Sequence, residues 1–95
     1  MRLSWTAPAL SDLRRINTYL AHEASRDVAE RVLTAIRERG TSLIDFPFAG
    51  PRITGSDSRS LRIHGSPYII VYRITDRAVQ ILRIQHERQD WRSGR

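Results

Sequence analysis

The sequence contains no cysteine, and this absence excludes a disulfide framework, a thiolate nucleophile and any metal site built on cysteine. A reducing cytosol fits such a chain. Lysine is absent too, because all 16 basic residues are arginine. An arginine-only repertoire offers planar forks for phosphate or carboxylate. A GC-rich genome writes the same repertoire without functional selection, and we favour that second explanation.

Long hydrophobic runs are also missing from this chain. Residues 1–5 lack the apolar run of a signal peptide, and the longest apolar stretch, residues 68–72, is far too short to cross a bilayer. We therefore expect a soluble, cytoplasmic protein that makes no contact with a membrane. The chain has the length of one domain, 1–95, whose thin core hides only about 60% of the surface of the unfolded chain. A partner that covers an apolar groove would stabilise such a domain.

The positive charge is concentrated in the C-terminal part of the chain. Residues 1–50 hold seven arginines against six acids and residues 51–95 hold nine against four, so the second part carries +5 of the net +6. A localised positive field attracts and steers polyanions. The asymmetry therefore predicts an acidic partner or a target that contains nucleic acid, with an ordinary solvated basic face as the alternative.

The N-terminal part predicts a short strand followed by an amphipathic helix. Residues 3–5 form the strand, Thr6 caps the helix, and Pro8 occupies its first turn, where a missing N–H costs little. We expect the helix to extend to about Glu23. Its buried stripe follows a 3.6-residue period and consists of Ala9, Leu13, Ile16 and Leu20, whereas its polar face contains Asp12, Arg14, Arg15 and Asn17.

A second helix is predicted after Ser25, which is a suitable N-cap. Gly40 interrupts its apolar period, but we expect the helix to continue to about Asp45 because Leu43 and Ile44 keep that period. The link between the two helices is short. They are therefore expected to form an antiparallel hairpin.

Three β-strands are predicted after the helices. Residues 46–51 stop the second helix, because neither of their two prolines can continue it. Residues 52–58 predict an exposed loop, which is the segment most prone to disorder. The strand patterns at residues 59–64, 68–75 and 78–86 predict an antiparallel meander. We therefore expect an α+β fold in which an N-terminal antiparallel two-helix hairpin packs on a small antiparallel β-sheet.

The last strand leads into a polar segment, residues 86–91, which carries most of the functional signal. His86 is the best single candidate for an acid or base, because histidine is the side chain that titrates near neutral pH. We expect Arg88 and Asp90 to pair and hold this segment to the domain, with direct target contact as the alternative. His86 and Asp90 have no third ligand at a suitable spacing, so no metal site is predicted.

Four arginines lie on the predicted strands, at Arg59, Arg62, Arg73 and Arg83. Strand alternation is expected to gather them on or near one surface of the sheet. Such a basic patch suits an acidic peptide or a nucleoprotein surface. Solvated strand positions with no binding role are the alternative.

Several motifs occur in a familiar order along nearly the whole chain. The helical part contributes a helix start at Asp12-Leu13, and Pro47 and Gly50 precede the sheet. The sheet contributes Arg59-Ser60-Leu61-Arg62, Tyr68, Tyr72 and a closing His86-Glu87-Arg88-Gln89-Asp90. With these motifs in this order, the chain resembles the ParE/RelE superfamily of type II toxins. The resemblance implies the fold described above and no cofactor.

This superfamily contains two kinds of toxin with different actions. RelE-like members cut messenger RNA on the ribosome, whereas ParE-like members inhibit DNA gyrase without being enzymes. RelE-like nucleases use a cluster of Lys and Arg and a C-terminal tyrosine, since cleavage through the 2′-hydroxyl needs proton transfer and phosphate stabilisation. This chain has Ser60 and Ile69 at two positions where the resemblance implies basic residues, and no tyrosine follows Tyr72. The ParE-like branch is therefore favoured, with no catalytic residue.

A ParE-like toxin is expected to bind gyrase stoichiometrically and to be neutralised by a cognate antitoxin protein. The resemblance implies an antitoxin site on the first helix, where each residue also fits a core role: Leu13, Ile16, Tyr19 and Leu20. We expect no sequence-specific binding of nucleic acid. The residues expected to contact the target are Arg59, Arg62, Arg73, Arg83, His86, Arg88 and Trp91.

Two alternatives stay open at this point. One is a RelE-like, ribosome-dependent endonuclease built on Arg62, His86 and Arg88. The other is a binding module of the same fold that has lost its toxicity.

Overall fold

The structure of the protein, a computed structural model, describes residues 1–88. Its elements are β1 (Arg2–Trp5), α1 (Ala7–Glu23), α2 (Arg26–Thr41), a 3₁₀ turn (Ser42–Ile44), β2 (Arg59–Arg62), β3 (Tyr68–Ile74) and β4 (Ala78–His86). The two helices pack as a hairpin against one face of a four-stranded sheet, which confirms the predicted α+β fold. Within residues 1–88, no helix combines the length and the apolar character that a membrane span requires.

Both helices begin at the N-caps that the sequence predicts. The hydroxyl oxygen of Thr6 accepts a hydrogen bond from the N–H of Ala9 at 3.3 Å. The same hydroxyl donates to the carbonyl oxygen of Ile81 at 3.0 Å, so the start of α1 is attached to the sheet. The hydroxyl of Ser25 accepts from the N–H of Val28 at 3.1 Å and caps α2 in the same way.

The second helix continues through Gly40, as expected. The α-helix ends at Thr41, earlier than the predicted Asp45, and the 3₁₀ turn follows it directly. A Cβ atom at Gly40 would lie 3.0 Å from both the Cδ1 atom of Ile81 and the indole of Trp5, which is closer than side-chain carbons normally approach. The glycine therefore allows the helix to lie against the sheet at this point.

The strand order in the sheet is β1-β4-β3-β2. Strands β2, β3 and β4 form the predicted antiparallel meander. Strand β1 pairs with β4 in parallel, with Arg2 opposite Ala78 and Trp5 opposite Ile81. The sheet is therefore mixed, and the expectation of an entirely antiparallel sheet is wrong at this edge. A parallel pair needs a long crossover connection, which the intervening helices and strands provide.

Residues 52–58 form a largely exposed turn, as the sequence predicts, and backbone hydrogen bonds close it. The N–H of Ile53 donates to the carbonyl oxygen of Ser58 at 2.8 Å, and Arg52 forms a β-bridge with Arg59. These backbone hydrogen bonds attach the turn to the start of β2.

The core lies between the sheet and the helical hairpin. Its largest fully buried side chains are Tyr72, Ile36, Leu43, Ile70, Ile81 and Val79. Of the predicted stripe on α1, Ala9 and Leu13 are buried, whereas Ile16 and Leu20 are only partly buried at the margin of the core. The helices therefore leave part of the sheet uncovered near the C-terminal half of α1.

Candidate partner-binding groove

A groove with a volume of about 460 Å³ opens between α1 and the adjoining ends of β3 and β4. Its apolar lining comes from both layers of the fold and includes Ile16, Leu20, Val32, Tyr68 and Ile84. Its polar lining includes Arg15, Arg83 and His86. The ring of Tyr19 also lines the groove, yet it is 60% exposed. The groove is thus an apolar surface whose edge carries Arg15 and Arg83, both in contact with the lining residue Asp12.

Three of the four residues expected to bind an antitoxin line this groove, namely Ile16, Tyr19 and Leu20. The fourth, Leu13, is only 6% exposed and belongs to the core, although it also lines another groove on the hairpin. The structure thus brings three predicted residues together on one accessible surface. Their role in antitoxin binding stays a prediction.

The side chain of Asp12 is buried beside the groove, and the expectation that it lies on the polar face of α1 is wrong. Its carboxylate accepts hydrogen bonds from Nε and Nη2 of Arg83, at 2.8 and 3.0 Å. It also accepts the backbone N–H of Ile84 at 2.9 Å and a hydrogen bond from Arg15. Strand β1 ends at Trp5, which lies opposite Ile81 on β4. The N–H of Ile84 lies beyond the last β1 residue, and the Asp12 carboxylate accepts its hydrogen bond in place of a β1 carbonyl.

This network sets the protonation of the Asp12 carboxyl group. Burial alone would raise its pKa, but the hydrogen bonds from Arg83 and Ile84 outweigh that effect and hold the pKa below its ordinary value. The hydrogen bond to Asp12 raises the pKa of Arg83 in turn. Both groups are therefore charged at neutral pH, and the ion pair links α1 to β4.

A β-bulge accompanies this arrangement of Arg83. Val71 pairs with Arg83, but the next residue, Tyr72, pairs with Ile81, so β4 has one extra residue at this point. Ile81 and Ile84 both reach the core as a result, which simple alternation would not allow. Arg83 pairs with Val71 next to the bulge, and its side chain reaches the Asp12 carboxylate on α1.

His86 lies at the end of β4 on the groove side of the sheet. It pairs with Tyr68, and the two rings meet edge to face with their centroids 5.5 Å apart. The Nδ1 atom of His86 accepts a hydrogen bond from the N–H of Arg88 at 3.1 Å. Burial raises the pKa of Tyr68, with a smaller contribution from Tyr19. The imidazole is therefore oriented by its neighbours within the groove.

Two of the predicted patch arginines, Arg62 and Arg73, lie on the outer face of the sheet. Arg62 pairs with Ile69, one position away from the core row formed by Leu61 and Ile70. Its guanidinium forms an ion pair with Glu87 at 3.2 Å. The outward side chain of Arg73 donates to Gln80 at 2.7 Å.

The other two predicted patch arginines lie on the helix side. Arg83 contacts Asp12, as described. Arg59 pairs with the core residue Tyr72, and its Nη1 atom donates to the carbonyl oxygen of Gly50 at 2.8 Å. The expected gathering of all four arginines on one sheet surface is therefore wrong. The ion pair of Arg83 with Asp12 and the hydrogen bond of Arg59 to Gly50 account for the difference.

The residues of the nuclease alternative are only partly brought together within residues 1–88, where the N–H of Arg88 donates to Nδ1 of His86. His86 lines the groove, whereas Arg62 lies on the outer face of the sheet. Arg88 follows β4 in a turn. The predicted Arg88–Asp90 pair and the predicted target contact at Trp91 lie outside the described residues. Over residues 1–88, no group of His, Cys, Asp or Glu is suited to hold a metal ion.

Two polar groups that organise the fold were missed by sequence reasoning. The first group is the carboxylate of Asp12. Its position follows Ala9 by three residues, and Leu13 and Ile16 follow Ala9 by four and seven, so all four lie on one helical face. This spacing places Asp12 among the buried positions. The second missed group is the hydroxyl of Tyr72, and its position on a central apolar strand indicates that it needs a buried partner.

Comparisons with known proteins extend these observations. The family model for the ParE toxin of the type II toxin-antitoxin system parDE matches residues 3–91. The putative toxin Y4kP of Sinorhizobium fredii is 36% identical over 90 residues, which cover 95% of this chain and 92% of that protein. The toxin RelE2 of Caulobacter vibrioides is 34% identical over 82 residues, which cover 86% of this chain and 90% of that protein.

The fold is similar to that of a solved structure as well. A chain of the chromosomal ParDE toxin-antitoxin system from P. aeruginosa superposes with a TM-score of 0.82 at 26% identity. The match covers 90% of this chain and 95% of that chain. The similarity therefore includes both helices and the sheet.

Proposed function

The chain belongs to the ParE toxin family of type II toxin-antitoxin systems, and we propose that it arrests growth by binding DNA gyrase in the cytoplasm. The action is stoichiometric inhibition without turnover. One observation carries this proposal: His86 and Arg62, the acid or base and the cation of a possible nuclease, lie on opposite faces of the sheet.

Cleavage of RNA through the 2′-hydroxyl requires a base near the attacking oxygen and a cation near the phosphate. His86 lies among the side chains of the groove, and Arg62 lies across the sheet in an ion pair with Glu87. This arrangement supports inhibition by binding over cleavage of a phosphodiester. Inhibition by binding has no such requirement, and arginines distributed over several surfaces are compatible with it.

The groove supports the second part of the proposal, a cognate antitoxin that neutralises the toxin. An apolar floor with Arg15 and Arg83 at its edge fits an amphipathic segment that carries acidic side chains beside its apolar face. A disordered antitoxin segment would fold as it binds and would cover Tyr19. The similarity to a ParDE toxin-antitoxin system also supports this partner.

A pair of assays tests the proposal. Purified toxin, added to gyrase and relaxed plasmid DNA, is expected to block supercoiling at concentrations comparable to that of gyrase, and the antitoxin is expected to restore it. When the toxin is added to ribosomes that translate a defined messenger RNA, the message is expected to stay intact. Normal supercoiling together with RNA cleavage that is lost in Arg62→Ala or His86→Ala would overturn the proposal.

A ribosome-dependent endonuclease is the second candidate, and the 34% identity to the toxin RelE2 of Caulobacter vibrioides favours it. The same two assays separate the candidates, because message cleavage and gyrase inhibition are independent readouts. A protein without either effect would be a binding module of this fold that has lost its toxicity.

A further inference from the structure

The segment that follows the 3₁₀ turn displays the most exposed large hydrophobic side chains within residues 1–88. Phe46 is 67% exposed and Phe48 is 70% exposed. Ala49 and Pro51 beside them are exposed as well. We call residues 46–51 the aromatic loop. Scattered apolar side chains on a surface are ordinary, but a contiguous apolar patch is typical of an interaction site.

The aromatic loop is held in one conformation by a buried polar contact. The hydroxyl of Tyr72, a fully buried side chain of β3, donates to the carbonyl oxygen of Pro47 at 2.8 Å and accepts the N–H of Gly50 at 2.9 Å. A Cβ atom at Gly50 would lie 2.4 Å from the carbonyl oxygen of Ser60, so only glycine fits this close approach. The loop is therefore attached firmly to the sheet although its two rings point into solvent.

A cationic side chain accompanies the exposed rings. The guanidinium of Arg59 lies 5.0 Å from the centre of the Phe48 ring while it holds the carbonyl oxygen of Gly50. The side chain of Arg52 is exposed just beyond the loop. Positive charge thus lies on the Phe48 side of the two rings, whereas the exposed Asp45 precedes Phe46. The surface is complementary to an apolar pocket with acidic residues on the Phe48 side.

The groove proposed for the antitoxin is a different surface, because none of its lining residues belongs to the aromatic loop. The two surfaces also differ in shape. The groove is concave and fits an extended or helical segment, whereas two protruding rings fit a pocket that a folded protein presents. Aromatic side chains held in advance lose little conformational freedom on binding and are frequent binding hot spots.

We propose that the aromatic loop is the anchor by which this toxin holds its target protein, with Phe46 and Phe48 entering an apolar pocket that has an acidic border. The identification of that protein with gyrase rests on the proposed function. The anchor itself is a property of the loop, whichever protein the toxin arrests.

The test compares four proteins, namely the wild type, the double variant Phe46→Ser/Phe48→Ser, Leu10→Ser and Tyr19→Ala. Leu10 is 42% exposed on α1 and controls for loss of an exposed apolar side chain elsewhere. Each protein is measured for growth arrest on induction, inhibition of reconstituted gyrase, and affinity for the cognate antitoxin. The double variant is expected to need at least about tenfold more protein for half-maximal inhibition of gyrase.

The double variant is also expected to lose growth arrest while it binds the antitoxin as the wild type does, and this retained binding shows that it folds. Leu10→Ser is expected to behave as the wild type. Tyr19→Ala is expected to keep its action on gyrase and to lose affinity for the antitoxin. This opposite pattern would assign the two surfaces to two partners.

The remaining outcomes separate the anchor from the choice of target. A double variant that inhibits gyrase and arrests growth like the wild type overturns the anchor and leaves the proposed function intact. If the wild-type toxin leaves gyrase active and the double variant loses growth arrest, gyrase is overturned as the target but the anchor is supported. Loss of antitoxin binding in the double variant overturns the anchor. The anchor is also overturned if the wild type self-associates and the double variant does not, since the loop would then bind a second copy of this chain.

Discussion

Two regions of this protein depart in opposite directions from the rule that charged side chains lie outside and apolar ones inside. At the junction of α1 and β4, the carboxylate of Asp12 is only 2% exposed. In the aromatic loop, Phe46 and Phe48 are 67% and 70% exposed. The buried carboxylate accepts hydrogen bonds from three residues, so the fold itself explains its position. In the described part of the chain, residues 1–88, no comparable contact buries the two rings, and a partner explains them better than stability does.

In both regions, a single polar group attaches a segment of the chain to the sheet. Asp12 attaches α1 to the end of β4, and the hydroxyl of Tyr72 attaches the aromatic loop to β3. The contacts of Asp12 involve charges, whereas those of Tyr72 are neutral hydrogen bonds. Charged contacts that are partly shielded from water are the stronger ones. We therefore expect loss of the Asp12 carboxylate to lower the free energy of unfolding more than loss of the Tyr72 hydroxyl.

The largest effect is expected from Asp12→Ala. This change leaves the N–H of Ile84 without its acceptor and Arg83 without its counter-ion, and it should lower the free energy of unfolding by about 3 kcal/mol. Urea denaturation of the variant and the wild type measures the difference. The control is Asp57→Ala in an exposed turn, which should change stability by less than about 0.5 kcal/mol. Equal effects of the two changes would contradict the special role of Asp12.

The dependence of stability on pH tests the charge on the same group. The pKa of Asp12 in the folded state lies below its ordinary value of 3.8, because the hydrogen bonds from Arg83 and Ile84 outweigh burial. Stabilisation by the ionised carboxylate is therefore complete above about pH 5 and is lost as the pH falls through the folded-state pKa. The difference in unfolding free energy between the wild type and Asp12→Asn should shrink between neutral pH and about pH 2. A difference that stays constant would show that ionisation of Asp12 contributes nothing.

A smaller effect is expected from Tyr72→Phe in the other region. The change removes the hydroxyl that joins Pro47 to Gly50 and leaves a buried N–H without an acceptor, which should cost about 1.5 kcal/mol. Hydrogen exchange at Gly50 is expected to accelerate before that of the core strands. The matched control is Tyr19→Phe, an exposed tyrosine whose change should leave stability within about 0.5 kcal/mol. Unchanged exchange at Gly50 would mean that the hydroxyl does not hold the loop.

The smallest effect is expected from Arg62→Ala on the outer face of the sheet. Its ion pair with Glu87 is exposed to water, with 69% of the Arg62 side chain accessible. Exposed pairs contribute little, so the change in unfolding free energy should stay below about 0.5 kcal/mol. Thermal unfolding of this variant beside Asp12→Ala sharpens the contrast between an exposed and a buried ion pair. A loss as large as that of Asp12→Ala would remove the contrast.

Local patterns predicted much of this structure because the responsible contacts are close in sequence. The cap at Thr6 depends on the N–H of Ala9, and the cap at Ser25 depends on the N–H of Val28, in each case three residues away. Continuation of α2 through Gly40 followed from the period of its apolar side chains. The antiparallel meander followed from three strand patterns with short connections.

The candidate site was less accessible to such patterns, because its contacts join distant parts of the chain. Asp12 meets Arg83 across 71 positions of sequence. This contact with α1 separates Arg83 from the outward arginines Arg62 and Arg73. Two of the predicted residues that line the groove, Ile16 and Leu20, belong to the helical stripe, although the stripe does not tell which of its members the sheet covers.

The amino-acid sequence by itself determined the helical hairpin, the meander and the membership in a toxin family, since each depends on residue order over short spans or along the whole chain. Only the tertiary structure decided that a carboxylate is buried at Asp12, that β1 pairs in parallel, and that Phe46 and Phe48 stay exposed. Burial is the reason for this division. The exposure of a side chain depends on which distant element covers it, and no local pattern records that.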